Sequence, residues 1–213
     1  VIESDFRIVN HQGIWRWVGW RSIVFQRNRD GQPKLVLHVG QDITTLKETE
    51  EKLRFLSIHD QLTGLYNRLY FEEEMSRLER GRIFPISTIM TDVDNLKEMN
   101  DTYGHAQGDE LLKLISGILR SSFRAEDVVA RIGGDEFAAL LPGTDESTAQ
   151  KIITRIEEKI DAHNTRNPQF KLSLSIGFET STRGESLTDA LQKADTKMYA
   201  SKMQKREMQN SYK

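Results

Sequence analysis

The hydrophobic period changes at residue 44. Before it, "DFRIVN", "IWRWVGWRSIVFQ" and "KLVLHVGQDI" alternate apolar and polar positions with the period of two that a β-strand needs, and "HQG" and "NRDGQP" supply turn chemistry between them. Residues 1–43 therefore predict three short antiparallel strands, part of a sheet and not a domain by themselves. Trp15, Trp17 and Trp20 read as sheet-face packing. From Thr44, "TTLKETEEKLRFLSIHD" is charged and helical, with Leu46, Leu53 and Leu56 along one side. About two heptads are too few to define a coiled coil by spacing, so residues 44–58 read as a linker helix.

Beyond it, "DQLTGLYNR" is a polar turn, with Asn67 placed to cap a helix from Arg68 to about Glu79. "FPISTIMTDVD" is a buried strand, and "GDELLKLISGILRSSF" is a helix carrying Leu111, Ile115 and Ile118 in one stripe. "DVVARI" and "FAALLP" pair around a Gly-Gly turn. "DESTAQKIITRIEEKIDAH" is a helix burying Ile152, Ile153, Ile156 and Ile160. "FKLSLSIGF" is a half-buried strand, and "SLTDALQKADTKMYASKMQ" closes as a helix opened by Ser186, with Asp189 three residues on. Strand, helix, strand, strand, helix, strand is the ferredoxin-like order, an α+β class with a central antiparallel sheet. This order brings the hairpin tip near the end of the "TIMTDVD" strand.

Charge and composition narrow the function classes. Net charge is −2, so no basic field advertises nucleic acid or an anionic membrane. The absence of cysteine excludes disulfides and thiolate-held metal and suits a reducing cytosol. Uninterrupted apolar runs are only a few residues long, against roughly 20 for a membrane helix. Opening on Val1 in strand-like sequence, the chain reads as a fragment of a longer protein.

Candidate chemistry gathers where strands end in acids. "TDVD" sets Asp92 and Asp94 on one strand face, and "RIGGDEF" puts Asp135 and Glu136 at a hairpin tip where Asn-Gly would turn as well. If the two places converge, their oxygens form a hard site of the kind Mg²⁺ accepts when substrate phosphates complete its shell. Gly133 and Gly134 would give both the turn and room for a bulky anion. Taken alone, a Gly-Gly hairpin with solvated acids is the commoner meaning of so short a motif. In "NLKEMNDTYGHAQGDE", Asn100 and Asp109 flank a loop ahead of a helix, with His105 between them. An Asp accepts paired hydrogen bonds from guanine N1–H and the 2-amino group, which adenine lacks, while an Asn addresses the neighbouring edge. By spacing alone the plainer meanings lead: an early helix acid and a turn residue.

"DQLTGLYNR", "TDVDNLKEMNDTYGHAQGDELL", "RAEDVVARIGGDEF", "LSIGF" and "ADTKMY" together resemble the GGDEF family, the bacterial diguanylate cyclases, from about His59 to Arg206. The resemblance implies a cyclase/polymerase-palm variant of the ferredoxin-like order, with a GGDEF domain over residues 59–213. It implies condensation of two GTP into cyclic di-GMP and two pyrophosphates, with Mg²⁺ (or Mn²⁺). Each domain of the family holds one GTP, which implies a face-to-face homodimer. By resemblance Asp92, the Val93 carbonyl, Asp135 and Glu136 are metal ligands, and Asp135 also matches the acceptor of the 3′-hydroxyl proton. Lys97 steadies the triphosphate charge. Asn100 and Asp109 read guanine, with His105 and Gly134 in the same substrate region. Lys202 and Arg206 contact phosphate. Arg124 and Asp127 of "RAED" match an inhibitory product site; taken alone they are an Arg near a helix end and an Asp opening a strand.

Lys205 and Glu207 stand where the family usually has Gly and Asn on either side of the basic residue, so the tail departs from the pattern. Residues 1–43 resemble the C-terminal half of a PAS sensor domain through "IWRWVGWRSIVF", "RDGQP" and "VGQDITTLKETEEKL", with no cofactor assignable. The expected location is the bacterial cytoplasm, with any membrane attachment left to parts outside this chain. Two other readings compete. One is a non-catalytic GGDEF module that binds GTP or cyclic di-GMP and signals by contact, which the full set of motif acids disfavours. The other is a polymerase palm, which the missing basic groove disfavours.

Overall fold

The chain divides into two compact units, Val1–Ser57 and the remainder from Ile58. The computed structural model describes residues 1–211, with side chains through Met208. In the first unit β1 (Ile2–Val9), β2 (Trp15–Arg27) and β3 (Pro33–Asp42) form an antiparallel sheet in the order β1-β2-β3, as the alternation predicts. Asn10 closes the first turn, its side-chain oxygen accepting the N–H groups of Gln12 and Ile14. Trp17 lies under the Arg7 guanidinium at 4.7 Å, and Trp20 stacks on His38 at 5.5 Å, so both pack on the sheet. Trp15 does not: it is exposed, paired with the exposed Val9 at the open end of the ladder.

The helix α1 (Thr44–Ile58) follows. Its start is fixed twice, by Asp42 Oδ1 accepting the Thr44 N–H at 2.9 Å and by Thr44 Oγ1 accepting the Trp17 N–H at 2.8 Å. Leu46 and Leu53 are exposed along it and Leu56 is half-buried.

The second unit runs β4 (Tyr66–Asn67), α2 (Arg68–Glu79), β5 (Ile86–Val93), α3 (Leu96–Tyr103), α4 (His105–Arg120), β6 (Val128–Gly133), β7 (Glu136–Pro142), α5 (Glu146–Arg166), β8 (Leu174–Ser181) and α6 (Leu187–Ser211). Its sheet has the order β4-β6-β7-β5-β8. The last four of these strands are antiparallel neighbours in the ferredoxin-like arrangement. Strand β4 adds parallel to β6, so the sheet is mixed, not purely antiparallel as the sequence predicts. Two residues inside a polar turn are too few to show a period. The stretch expected as a loop before α4 is also partly helical: α3 ends and α4 begins at Gly104.

The caps fall where the sequence puts them. Asn67 Oδ1 accepts the Tyr70 N–H at 3.0 Å to open α2, and Ser186 Oγ accepts the Asp189 N–H at 3.2 Å at the start of α6. The sheet is covered on both faces. On one, Leu111, Ile115, Leu119, Ile152, Ile156 and Ile160 of α4 and α5 pack on Ile89, Val93, Phe137, Ala139 and Leu141. On the other, Phe71 and Leu78 of α2 and Leu187, Ala194 and Met198 of α6 pack on Ile86, Met90, Ala138 and Leu140. Alternation then settles the rest. Residues in step with Met90 and Ala138 face α6, and those are Asp92, Asp94 and Glu136.

Candidate active site

Three acids meet at one corner of the second unit. Asp92 pairs directly opposite Glu136 across the β5–β7 ladder, and the Val93 N–H donates to the Asp135 carbonyl at 3.0 Å. The convergence expected between the strand end and the hairpin tip is therefore present. Like charges facing each other across a ladder destabilise it, and perturbed acids gathered in this way mark a candidate functional site. The turn between β6 and β7 is Gly134-Asp135, and Gly134 takes φ 53°, a left-handed conformation that a side chain would strain.

The electrostatics follow from the packing. Burial pushes the Asp92 carboxyl up, the Lys202 ammonium pulls it back, and Asp135 and Asp94 add to the rise. Glu136 is raised by burial and then by Asp135, Asp92 and Asp195, with Lys202 again opposing. Lys202 Nζ stands 2.6 Å from Asp92 Oδ1, both side chains largely buried. One ammonium thus sits at the edge of a group of carboxylates whose negative field it only partly balances.

The neighbouring residues sort by position. Asp94 carries the same sign but is committed elsewhere: it accepts from Ser173 Oγ at 2.6 Å, Ser175 Oγ at 2.7 Å and Lys205 Nζ at 3.2 Å. Lys97 is exposed near the start of α3, His105 opens α4 and is exposed, and Asp109 is exposed a turn further on. Asn100 is half-buried on α3 with its Oδ1 buried and unpartnered. That oxygen lies over Gly108, where a Cβ would stand 1.9 Å from it, so glycine there makes room for the amide. Arg206 is exposed, away from the contacts that Lys202 and Lys205 make.

A second recess of about 380 Å³ opens beside "RAED", lined by Phe123, Arg124, Thr148, Lys151 and Arg155 among others. Arg124 is exposed, and its backbone N–H donates to Asp127 Oδ2 at 2.7 Å. Asp127 is buried and its Oδ1 has no partner; burial pushes its carboxyl up against the pull of that N–H.

Sequence reasoning misses three contributors. Arg155 donates to the Ser122 carbonyl and lines the recess with Arg124, but it sits on α5, far along the chain, as one more charge on a solvated helix face. Asp195 adds its charge to Glu136 from α6. Arg131, inside the quoted "RIGGDEF", donates to the Gly134 carbonyl at 3.0 and 2.7 Å and pairs with Asp60 at 3.3 Å, bracing the turn. Burial alone would raise the Asp60 carboxyl, but Thr63 and Arg131 outweigh it and hold it below the usual range.

Among the described residues no three His, Asp or Glu side chains already form a ligand cage. The corner still suits Mg²⁺, which keeps several waters and takes one or two carboxylates plus substrate phosphates. Asp92, the Val93 carbonyl, Asp135 and Glu136 supply only oxygen.

A ferredoxin-like sheet whose central strand and neighbouring hairpin turn meet in an acidic corner fits the palm-type cyclase class. A family model, "Diguanylate cyclase, GGDEF domain", matches residues 57–208, and the chain belongs to that family. It is 34% identical over 175 residues to "Diguanylate cyclase DgcM" of Escherichia coli (strain K12), covering 79% of this chain and 42% of that protein. It is 32% identical over 170 residues to "Uncharacterized protein YtrP" of Bacillus subtilis (strain 168), covering 78% and 28%. The chain thus spans less than half the length of these curated relatives. Among solved structures it resembles the coiled coil and GGDEF domain of DgcB from Caulobacter crescentus in complex with c-di-GMP. That match has 28% identity and TM-score 0.67, covering 76% of this chain and 88% of that one. The GGDEF domain of PA1120 from Pseudomonas aeruginosa matches at 37% identity and TM-score 0.61, covering 68% and 89%. Among the described residues no helix is long and apolar enough to cross a membrane.

Proposed function

We propose that this chain is a diguanylate cyclase that condenses two GTP into cyclic di-GMP with release of two pyrophosphates. The observation that carries the reading is the acidic corner, where Asp92 and Glu136 face each other beside the Asp135 turn with Lys202 against them. Asp92, the Val93 carbonyl, Asp135 and Glu136 would hold Mg²⁺ or Mn²⁺. Such an ion supplies Lewis-acid stabilisation of triphosphate charge and lowers the pKa of the attacking hydroxyl.

The chain's own groups do the rest. Asp135 accepts the 3′-hydroxyl proton from its place in the turn. Lys97, Lys202 and Arg206 bind phosphate, and Lys202 needs only to swing from Asp92 to do so. Asn100 and Asp109 read the guanine edge, with His105 and Gly134 at the substrate. Asn100 lies half-buried on α3, with an amide oxygen that has no partner among the described residues. Incubation with GTP and either metal ion, followed by chromatography of the nucleotides, tests this. Bound GTP that is never converted would instead favour a module that signals by binding alone.

Product would bind at Arg124 and Asp127, where the recess shared with Arg155 offers two guanidinium groups to a phosphate or a guanine Hoogsteen edge. One domain offers one guanine-reading set, so catalysis takes two domains, a homodimer in the bacterial cytoplasm where GTP is available. Residues 1–43 would be the C-terminal part of a PAS sensor, with α1 carrying its signal.

A further inference from the structure

Helix α6 is tied to the β5 row that carries the acidic corner by two lysines, Lys202 at the corner and Lys205 beside it. Lys202 meets Asp92, and Lys205, one turn on, meets Asp94, which lies just past the end of β5 in step with its α6-facing row. Three residues along a helix rise about 4.5 Å and two along a strand about 6.6 Å, a difference of about 2 Å that two long lysine side chains can take up. Lys205 does more than pair a charge. Its Nζ also donates to the Leu174 carbonyl and lies 3.5 Å from Ser173 Oγ, so one ammonium gathers groups from β8 and the segment just before it as well as Asp94. The Asp94 carboxylate in turn accepts from Ser173 and Lys205 on one oxygen and from Ser175 on the other, and its backbone N–H donates to the Ser173 carbonyl. It is an anchor with little capacity left for a metal.

We propose that Lys205 is a positioning residue. Its ion pair with Asp94 fixes the rotation and height of the C-terminal part of α6, and thereby sets Lys202 against Asp92 and Arg206 toward incoming phosphate. The functional consequence rests on the GTP reading above. Buried apolar contacts hold the first half of α6, through Leu187, Ala194 and Met198, whereas beyond Met198 the polar tethers take over. Losing one of them frees the segment that carries the phosphate-binding groups and leaves the core intact.

The test uses the whole chain with Lys205→Met, which keeps most of the stem, and Lys205→Arg, which keeps the charge. Amide hydrogen exchange over residues 199–208 is expected to quicken in Lys205→Met and to return toward wild type in Lys205→Arg. The KM for GTP is expected to rise about threefold to tenfold in Lys205→Met, the range for a charge-assisted contact that is partly exposed. At the same time kcat should stay within about twofold, because no reacting atom is touched. Calorimetric affinity for a GTP analogue that cannot release pyrophosphate should weaken in parallel. Unchanged exchange and unchanged affinity would overturn the proposal, as would kcat, affinity and Tm falling together, which marks a general stability role. If wild type makes no cyclic di-GMP, the cyclase reading fails, while exchange and analogue affinity still decide the role of Lys205.

Discussion

At the scale of single residues, Asp92 and Gly108 separate chemistry from architecture. Asp92 is buried where burial and neighbouring acids already work against its charge, and only Lys202 favours it. Asp92→Asn removes the oxygen charge proposed to bind metal and also relieves the acid–acid repulsion. Turnover should therefore fall by about two orders of magnitude or more, while Tm moves by no more than a few degrees, about 1 kcal/mol either way. Near-normal production of cyclic di-GMP by this variant would remove Asp92 from the metal set. Gly108→Ala places a methyl 1.9 Å from Asn100 Oδ1 and 2.9 Å from its Cγ, so the whole amide must move. The helix gains up to about 1 kcal/mol from alanine's propensity, which offsets part of the cost of moving the amide. Asn100 is displaced, and GTP affinity should weaken by about 1–3 kcal/mol for the lost pairing. Calorimetry with unchanged affinity would show that Asn100 does not read the base.

At the scale of elements, the acidic turn is held from behind. Arg131 ties the Gly134 carbonyl to Asp60 in the 60–64 turn, so one guanidinium bridges the hairpin and that turn. Arg131→Met should cost about 1–2 kcal/mol, the worth of charged hydrogen bonds that are mostly buried. A double-mutant cycle with Asp60→Asn in thermal unfolding measures their coupling, and strictly additive effects would deny the brace. The α5 helix contributes Arg155 to the proposed product site. Arg155→Ala, like Arg124→Ala, should relieve inhibition by added cyclic di-GMP without lowering the initial rate, and progress curves that bend equally in wild type and variants would argue against a product site there. Elements with a strong period were legible in the sequence. Ile152, Ile153, Ile156 and Ile160 announce α5 because each is needed against the sheet. The acidic corner was legible because alternation fixes which way Asp92 and Glu136 face. Strand β4 is too short to carry a period, and α3 is polar and half-exposed, so its stretch reads as a loop. Arg131 and Arg155 were invisible for a different reason: their partners lie far along the chain or on backbone carbonyls, where residue identity leaves no mark.

At the scale of the whole molecule, the constraint comes from the proposed product. Each domain presents one acidic corner and one Asn100–Asp109 pair, whereas cyclic di-GMP contains two guanosines joined symmetrically. Initial rate per mole of enzyme should therefore rise with enzyme concentration until dimers saturate. Helix α1 offers the handle, with Leu46 and Leu53 exposed and Leu56 half-buried along one side. An apolar seam of about two heptads is marginal by itself, so association should be weak and open to control by whatever precedes or contacts the helix. Because Leu53 is 61% exposed, Leu53→Glu leaves the monomer's own packing untouched. In a dimer, the same change buries a carboxylate against an apolar partner, which is costly without a compensating hydrogen bond. The variant should then match wild type in thermal stability and in specific activity at saturating enzyme, and fall below it as the enzyme is diluted. Sedimentation should show the dimer dissociating at a higher concentration than in wild type. Specific activity that stays flat across a wide dilution series, in wild type and Leu53→Glu alike, would mean that this helix does not assemble the active pair and that the two domains meet through another surface.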